Sequence, residues 1–229
     1  MKSDLTVLAQ SLEYRFNDIR LLEMALNHRS FRGYKNNERL EFLGDAILNF
    51  VIASALFRRN PRTREGQLSR FRAHLVCGET LSLLAQHFKL GMYLRLGAGE
   101  LKTGGAQRDS ILADGMEAVV AAIYLDGGIA ACESCILNWY ADKLAISGKL
   151  PDFKDPKTRL QEYLQARKLS LPNYVILAVE GAAHQQIFKV ACTIDGVDQP
   201  TMGQGSGRRR AEQEAAQHML QYLKISDEP

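Results

Sequence analysis

Two stretches of this chain are so apolar that each belongs inside a helical core, and each carries carboxylates one turn apart. In the first, Leu40, Phe42, Leu43, Ala46, Ile47, Leu48, Phe50, Val51 and Ile52 supply enough apolar surface to bury a helix on most sides. Glu38, Glu41 and Asp45 fall on that helix within an arc of about 60°, with nothing apolar between them. Like charges at this spacing repel, so the triplet is either held open by solvent or neutralised by a cation. The second stretch, residues 110–124, is apolar apart from Asp114 and Glu117. Each set alone has an ordinary account: it caps a helix or faces water, and the dipole at a helix start favours Glu38 where it stands. Carboxylates on both of the most apolar helices point instead to one shared cation site. An oxygen-only ligand set suits a hard divalent ion such as Mg²⁺, with Mn²⁺ as a possible substitute.

Along the chain, Leu5, Leu8 and Leu12, then Ile19, Leu21, Leu22, Ala25 and Leu26, predict two short amphipathic helices, the second capped by Asn17. The turn chemistry of residues 32–37 leads into the acidic helix with Asn36 or Asn37 as its cap, and Pro61 ends it. Further helices are predicted over residues 65–76 and 79–89, punctuated by Gly78 and Gly91. The glycine-rich stretch 95–105 has no G-K-[ST] opening a helix, so it is no P-loop and predicts no nucleotide or other small-molecule cofactor. It reads as a flexible loop near the acids, with Lys102 and Arg108 within reach of a phosphate. Asp109 or Ser110 is the expected cap of the second core helix, and a last amphipathic helix follows Gly127 and Gly128 through Trp139 and Leu144.

Composition narrows the class. The 229 residues are 46% hydrophobic and 24% charged, enough for two modest domains. No uninterrupted apolar run reaches about 18 residues, so no membrane span is expected. The N-terminus has no charged-then-apolar leader, which predicts a cytoplasmic protein. Cys132 and Cys135 lack a second metal-binding pair and read as packed thiols in a reducing compartment. Residues 58–72 hold Arg58, Arg59, Arg62, Arg64, Arg70 and Arg72 against the single acid Glu65. Such a run is a solvated face or a phosphate track, and the sequence leaves both open.

After residue 148 the pattern changes. A linker over 149–154 precedes a second domain at 155–225 and a tail at 226–229. Pro156 sits at the first position of a helix through Leu160, Tyr163 and Leu164. Strands are predicted over 174–180, 187–195 and 201–205, and a final helix over 208–223. The expected fold is therefore an all-α domain, residues 1–148, followed by a small α+β domain of order α-β-β-β-α. Arg208, Arg209 and Arg210 open the last helix, where free N–H groups already favour a phosphate. The glycines before them let backbone approach a polyanion. Thr158, Gln161, Glu162 and Gln165 share one face of the first helix and suit 2′-hydroxyls and base edges in a wide minor groove, with His184 able to reach a second groove.

These features carry a resemblance. Residues 37–48, with Ile111-Leu112-Ala113-Asp114 and Glu117-Ala118 downstream, are similar to bacterial ribonuclease III. The second domain resembles the double-stranded-RNA-binding domain, with Thr158, Gln161, Glu162 and Gln165 at its first-helix contacts, the His184 turn as its loop, and Ser206 with the arginine triplet at its last-helix entry. Ala182 departs from a common proline there. The resemblance implies an Mg²⁺-dependent endoribonuclease acting on RNA duplexes. It implies Glu41, Asp114 and Glu117 as ligands, Asp45 as a further essential acid that also faces the metal, and Glu38 in support. Divalent ions about 4 Å apart acidify the attacking water and hold the leaving oxygen. It further implies 5′-phosphate and 3′-hydroxyl ends with 3′ overhangs, and substrates among rRNA, tRNA and structured mRNA precursors. A homodimer with one centre per subunit can cut both strands. Phe42 occupies the position that inserts into the twin subunit, although plain core is an equal account of it. The competing classes are a non-catalytic RNA-binding regulator, whose signature is missing acids, and a small-molecule phosphohydrolase, which leaves the second domain without a role.

Overall fold

The computed structural model describes residues 5–33, 35–145, 155–182 and 186–225, in two compact units, Met1–Pro151 and Asp152–Pro229. The expected linker, the tail and His184 lie outside the described residues.

The first unit is helical: α1 (Leu5–Ser11), α2 (Ile19–Ala25), α3 (Glu38–Arg59), α4 (Glu65–Leu75), α5 (Gly78–His87), α6 (Ala98–Lys102), α7 (Asp109–Trp139) and α8 (Ala141–Leu144). The two acid-bearing helices, α3 and α7, are its spine. Val51, Ile52, Met116, Val119 and Ile123 lie fully buried there. By length and composition alone α3 and α7 are each long and apolar enough to cross a membrane. Here that composition serves a core: polar residues interrupt the apolar runs, yet one flank of each helix packs on neighbouring helices.

Local corrections follow from tertiary contacts. Asp18, not Asn17, caps α2, its carboxylate accepting from the Arg20 N–H. Asn17 instead donates through its backbone to Asp126 on α7. Neither Asp109 nor Ser110 caps α7: Arg108 precedes its first turn without a side-chain cap. Gly128 has φ 75°, a left-handed value open to glycine, and kinks α7 so that its second half folds back. Cys132, buried there, donates to the Val120 carbonyl. Residues 95–105 are not a loop throughout. They hold α6, and a 3₁₀ turn at Gly105–Gln107 follows.

The second unit is α9 (Pro156–Ala166), β1 (Asn173–Glu180), β2 (Ile187–Thr193), β3 (Thr201–Gly205) and α10 (Arg208–Tyr222), the expected α-β-β-β-α order. Asp155 caps α9 through the Thr158 N–H, with Pro156 in the first turn where its missing donor does no harm. The strands pair antiparallel in the order β1-β2-β3, with Tyr174 opposite Cys192 and Cys192 opposite Thr201. One sheet face packs on both helices through Leu160, Leu164, Cys192, Ala215, Met219 and Leu220. Gly203 and Gly205 have a packing reason of their own: a Cβ on Gly203 would overlap the α10 backbone at Ala211 and Ala215, and one on Gly205 would crowd Arg210.

Candidate metal centre and duplex-binding face

The acids meet because the two spine helices touch. Gly44 on α3 lies so close to α7 that a Cβ there would overlap the Glu117 carbonyl. Gly115, which costs about 1 kcal/mol of helix propensity against alanine, has a packing reason: a Cβ would come 3.2 Å from Leu94 and 3.3 Å from Leu90. At this crossing Glu41, Asp114 and Glu117 each present an oxygen, and the three lie within 4.8 Å of one another in a half-buried setting.

Burial and mutual repulsion dominate the electrostatics of the cluster. Burial, reinforced by Asp45, Asp114 and Glu41, pushes the Glu117 carboxyl up to about 8. Burial first, then Asp114 and Glu38, also raises Glu41, while Arg29 opposes them. Asp114 is raised by burial against the pull of His28 and Arg29. Oxygen donors this close, partly dehydrated and mutually repelling, fit a hard divalent ion. The other two predicted acids stand outside the trio. Asp45 is exposed and accepts from the Asn49 amide at 2.8 Å, yet it acts on Glu117 through space. Glu38 is exposed at the head of α3, where it accepts from Asn36 and lies 3.7 Å from Arg29.

Asn36 supplies the side-chain acceptor for the Glu38 N–H, whereas Asn37 is buried and donates to the Ala25 carbonyl. Arg108 pairs with Glu100 at 3.1 Å on the surface. Two residues of the cleft escaped the sequence reading, His28 and Arg29, which line it together with Asn37, Glu38, Glu41 and Asp114. No periodicity marks them, because a loop carries them. Their one signal is a His-Arg pair between a short helix and the acidic one.

On the second unit, Thr158, Gln161, Glu162 and Gln165 are all exposed, as are Ser206, Arg208, Arg209 and Arg210. The arginines are not equivalent. Arg208 and Lys157 hold buried Glu212 from α10 and α9, at 2.8 and 2.6 Å. Although burial pushes Glu212 up, Lys157 and Arg208 keep it below the usual carboxylate range. Arg210 donates to Ser206 at 3.2 Å. The Glu212 clamp joins the start of α10 to the start of α9, so the arginine entry and the polar helix face share one rigid edge.

Phe42 is not core. It is 80% exposed, and on the same helix Phe50, counted above among the apolar residues, and Phe57 are 61% and 72% exposed.

Comparison with known proteins agrees with both halves. A family profile described as Ribonuclease-III-like matches residues 18–144, and one for the double-stranded RNA binding motif matches 156–223. Ribonuclease 3 of Hahella chejuensis is 53% identical over 225 residues, covering 98% of this chain and 99% of that protein. Ribonuclease 3 of Proteus mirabilis is 54% identical over 218 residues, covering 95% and 96%. Among solved structures, the nuclease domain of ribonuclease III from Campylobacter jejuni superposes with a TM-score of 0.61 at 37% identity, covering 64% of this chain and 99% of that one. A second structure of that domain, described for flexibility in a region involved in dimer formation, gives 0.59 at 39% identity, covering 61% and 97%. A metal-ready acid cluster between two core helices, a duplex-binding unit C-terminal to it in the sequence and identity along almost the whole length place this chain in the ribonuclease III family, as an endoribonuclease of double-stranded RNA.

Proposed function

We propose that the chain cuts RNA duplexes with Mg²⁺ held by Glu41, Asp114 and Glu117, leaving 5′-phosphate and 3′-hydroxyl ends with 3′ overhangs. The observation that carries this reading is the convergence of those three carboxylates to within 4.8 Å. A bound divalent ion supplies Lewis acidity for attack on phosphorus and for departure of the 3′ oxygen. The protein's own part is to keep the carboxylates dehydrated and aimed at one point, and to keep Asp45 beside Glu117. The second unit brings the duplex through the exposed faces of α9 and the start of α10, and its 2′-hydroxyl contacts select RNA. Precursors of rRNA and tRNA and structured mRNAs are the proposed substrates. The cytoplasm is the proposed compartment, in keeping with the free thiols of Cys77, Cys132, Cys135 and Cys192. The direct test is a long RNA duplex incubated with Mg²⁺, Mn²⁺ or EDTA and its ends mapped. Cleavage with either ion and none in EDTA is expected; equal cutting in EDTA, or of single strands, overturns the reading.

We further infer a homodimer, because two antiparallel strands need two centres related by symmetry. Phe42, Phe50 and Phe57 support it: spacings of eight and seven keep these exposed rings within about 80° on α3. An apolar stripe of this kind marks an interaction surface. Phe42→Ala should weaken self-association by roughly 30-fold or more, as loss of a buried aromatic anchor does. Light scattering at micromolar concentration that shows an unchanged dimer removes Phe42 from the interface.

A further inference from the structure

His28 is held in the acid cleft by contacts that leave one ring nitrogen unspent. The Arg95 N–H donates to the Leu26 carbonyl at 2.8 Å and the His28 N–H to the Arg95 carbonyl at 3.1 Å, pinning the segment after α2 to a distant part of the chain. The residue is only 9% exposed, and its surface faces the cleft shared with Glu41 and Asp114. Nδ1 accepts from the Ser30 N–H at 3.3 Å and lies 2.8 Å from Ser30 Oγ. That hydroxyl in turn accepts from the Gly97 N–H at 2.9 Å, which turns its own proton toward Nδ1. A neutral imidazole that accepts at Nδ1 carries its proton on Nε2. Nε2–H, without a hydrogen-bond partner among the described residues, is thus a donor at a cleft lined by carboxylates.

We propose that His28 is a positioning residue: its Nε2–H, unpartnered among the described residues, is placed to donate to a carboxylate oxygen of the cleft it shares with Asp114 and Glu41 when those acids close on an ion, leaving the other oxygen for the ion. The proposal rests on the reading of those three acids as a metal centre. Asp114 and Glu41 are the two acids of the trio that line the cleft with His28, so the acceptor is one of them. Outer partners of this kind orient a ligand and add to metal affinity.

The test uses the full chain with His28→Ala and His28→Gln, the latter because a glutamine amide N–H reaches about as far as Nε2–H. Mn²⁺ affinity is read by calorimetry without RNA, duplex affinity by gel shift in EDTA, and cleavage as a function of metal concentration. His28→Ala is expected to weaken Mn²⁺ binding roughly tenfold or more and to move half-maximal cleavage by the same factor. Duplex affinity in EDTA should stay native, and kcat at saturating metal should approach it. His28→Gln should regain most of the metal affinity. Native Mn²⁺ affinity in His28→Ala overturns the proposal, as does a glutamine variant no better than alanine. A native protein that binds Mn²⁺ but leaves duplexes uncut overturns the enzymatic reading alone, whereas one that binds no Mn²⁺ overturns the metal centre and this role with it.

Discussion

Glu117→Gln should leave RNA-duplex binding intact, abolish cleavage, and raise the melting temperature of the metal-free protein at pH 8. The loss of cleavage follows from place: Glu117 is the most dehydrated of three converging carboxylates, and an amide oxygen has no charge to offer a divalent ion. Changes one shell further out already cost roughly 10–100-fold in metal affinity or activity, so loss of a ligand should exceed about a hundredfold. Duplex binding persists because the exposed faces of α9 and α10 belong to the other unit. A variant that cuts at the native rate removes Glu117 from the site.

The gain in stability has a sign that can be worked out. In the folded, metal-free chain the Glu117 carboxyl sits at about 8, above its ordinary 4.5, chiefly through burial and then through Asp45, Asp114 and Glu41. The folded state therefore binds this proton more tightly than the unfolded one. Its contribution to stability is full below about 4.5 and is lost as pH rises through about 8. Glu41 and Asp114 are raised as well and act in the same direction. Glutamine mimics the protonated acid and keeps the stability that the native side chain loses. Because Glu117 retains solvent contact, the full shift has to be discounted, leaving about 1–2 kcal/mol at pH 8. For a unit of this size that is a rise of roughly 3–6 °C, shrinking toward zero near pH 5. Mg²⁺ should stabilise the native protein in the same sense, more at pH 8 than at pH 5. Scanning calorimetry in EDTA and in Mg²⁺ at both pH values reads all of this, and a variant less stable than native at pH 8 contradicts it.

The sequence carried the spine of this protein because periodicity survives without tertiary information. The apolar runs that became α3 and α7, and the alternation behind β1 to β3, are local. Acids on two core helices implied a meeting, and Gly44 shows how it occurs, a contact that no one-dimensional pattern encodes. What failed was decided across distance. Asn17 looked like a cap, but Asp126 engages it. The glycines at 203 and 205 admit α10, a packing role that the sequence did not show. Phe42 and Phe50 count as apolar wherever they point, so composition did not distinguish core from exposed stripe. His28 reaches the cleft only through backbone pairing with Arg95, which lies beyond α5.

Gly44→Ala should be the most damaging single methyl group in the first unit. In isolation the change favours α3, since alanine exceeds glycine by about 1 kcal/mol in a helix interior. Against that, the added Cβ would overlap the carbonyl of Glu117 and stand 3.2 Å from its Cα, and backbone cannot rotate away as a side-chain tip does. α3 and α7 have to separate along the seam that buries Leu48, Val51, Val119 and Ile123. Overpacking of this kind costs about 1–3 kcal/mol even where side chains alone give way, so a net loss near 2–3 kcal/mol is expected here despite the propensity gain. Melting should fall by roughly 5–10 °C. The same movement separates Glu41, one turn before Gly44, from Glu117, so the folded variant should also bind Mn²⁺ more weakly at temperatures far below its melting point. That second effect sets a displaced metal centre apart from a merely weakened fold. An alanine variant with native melting and native Mn²⁺ affinity would mean that the two helices do not touch at Gly44, and the close approach of the three carboxylates would lose its structural cause.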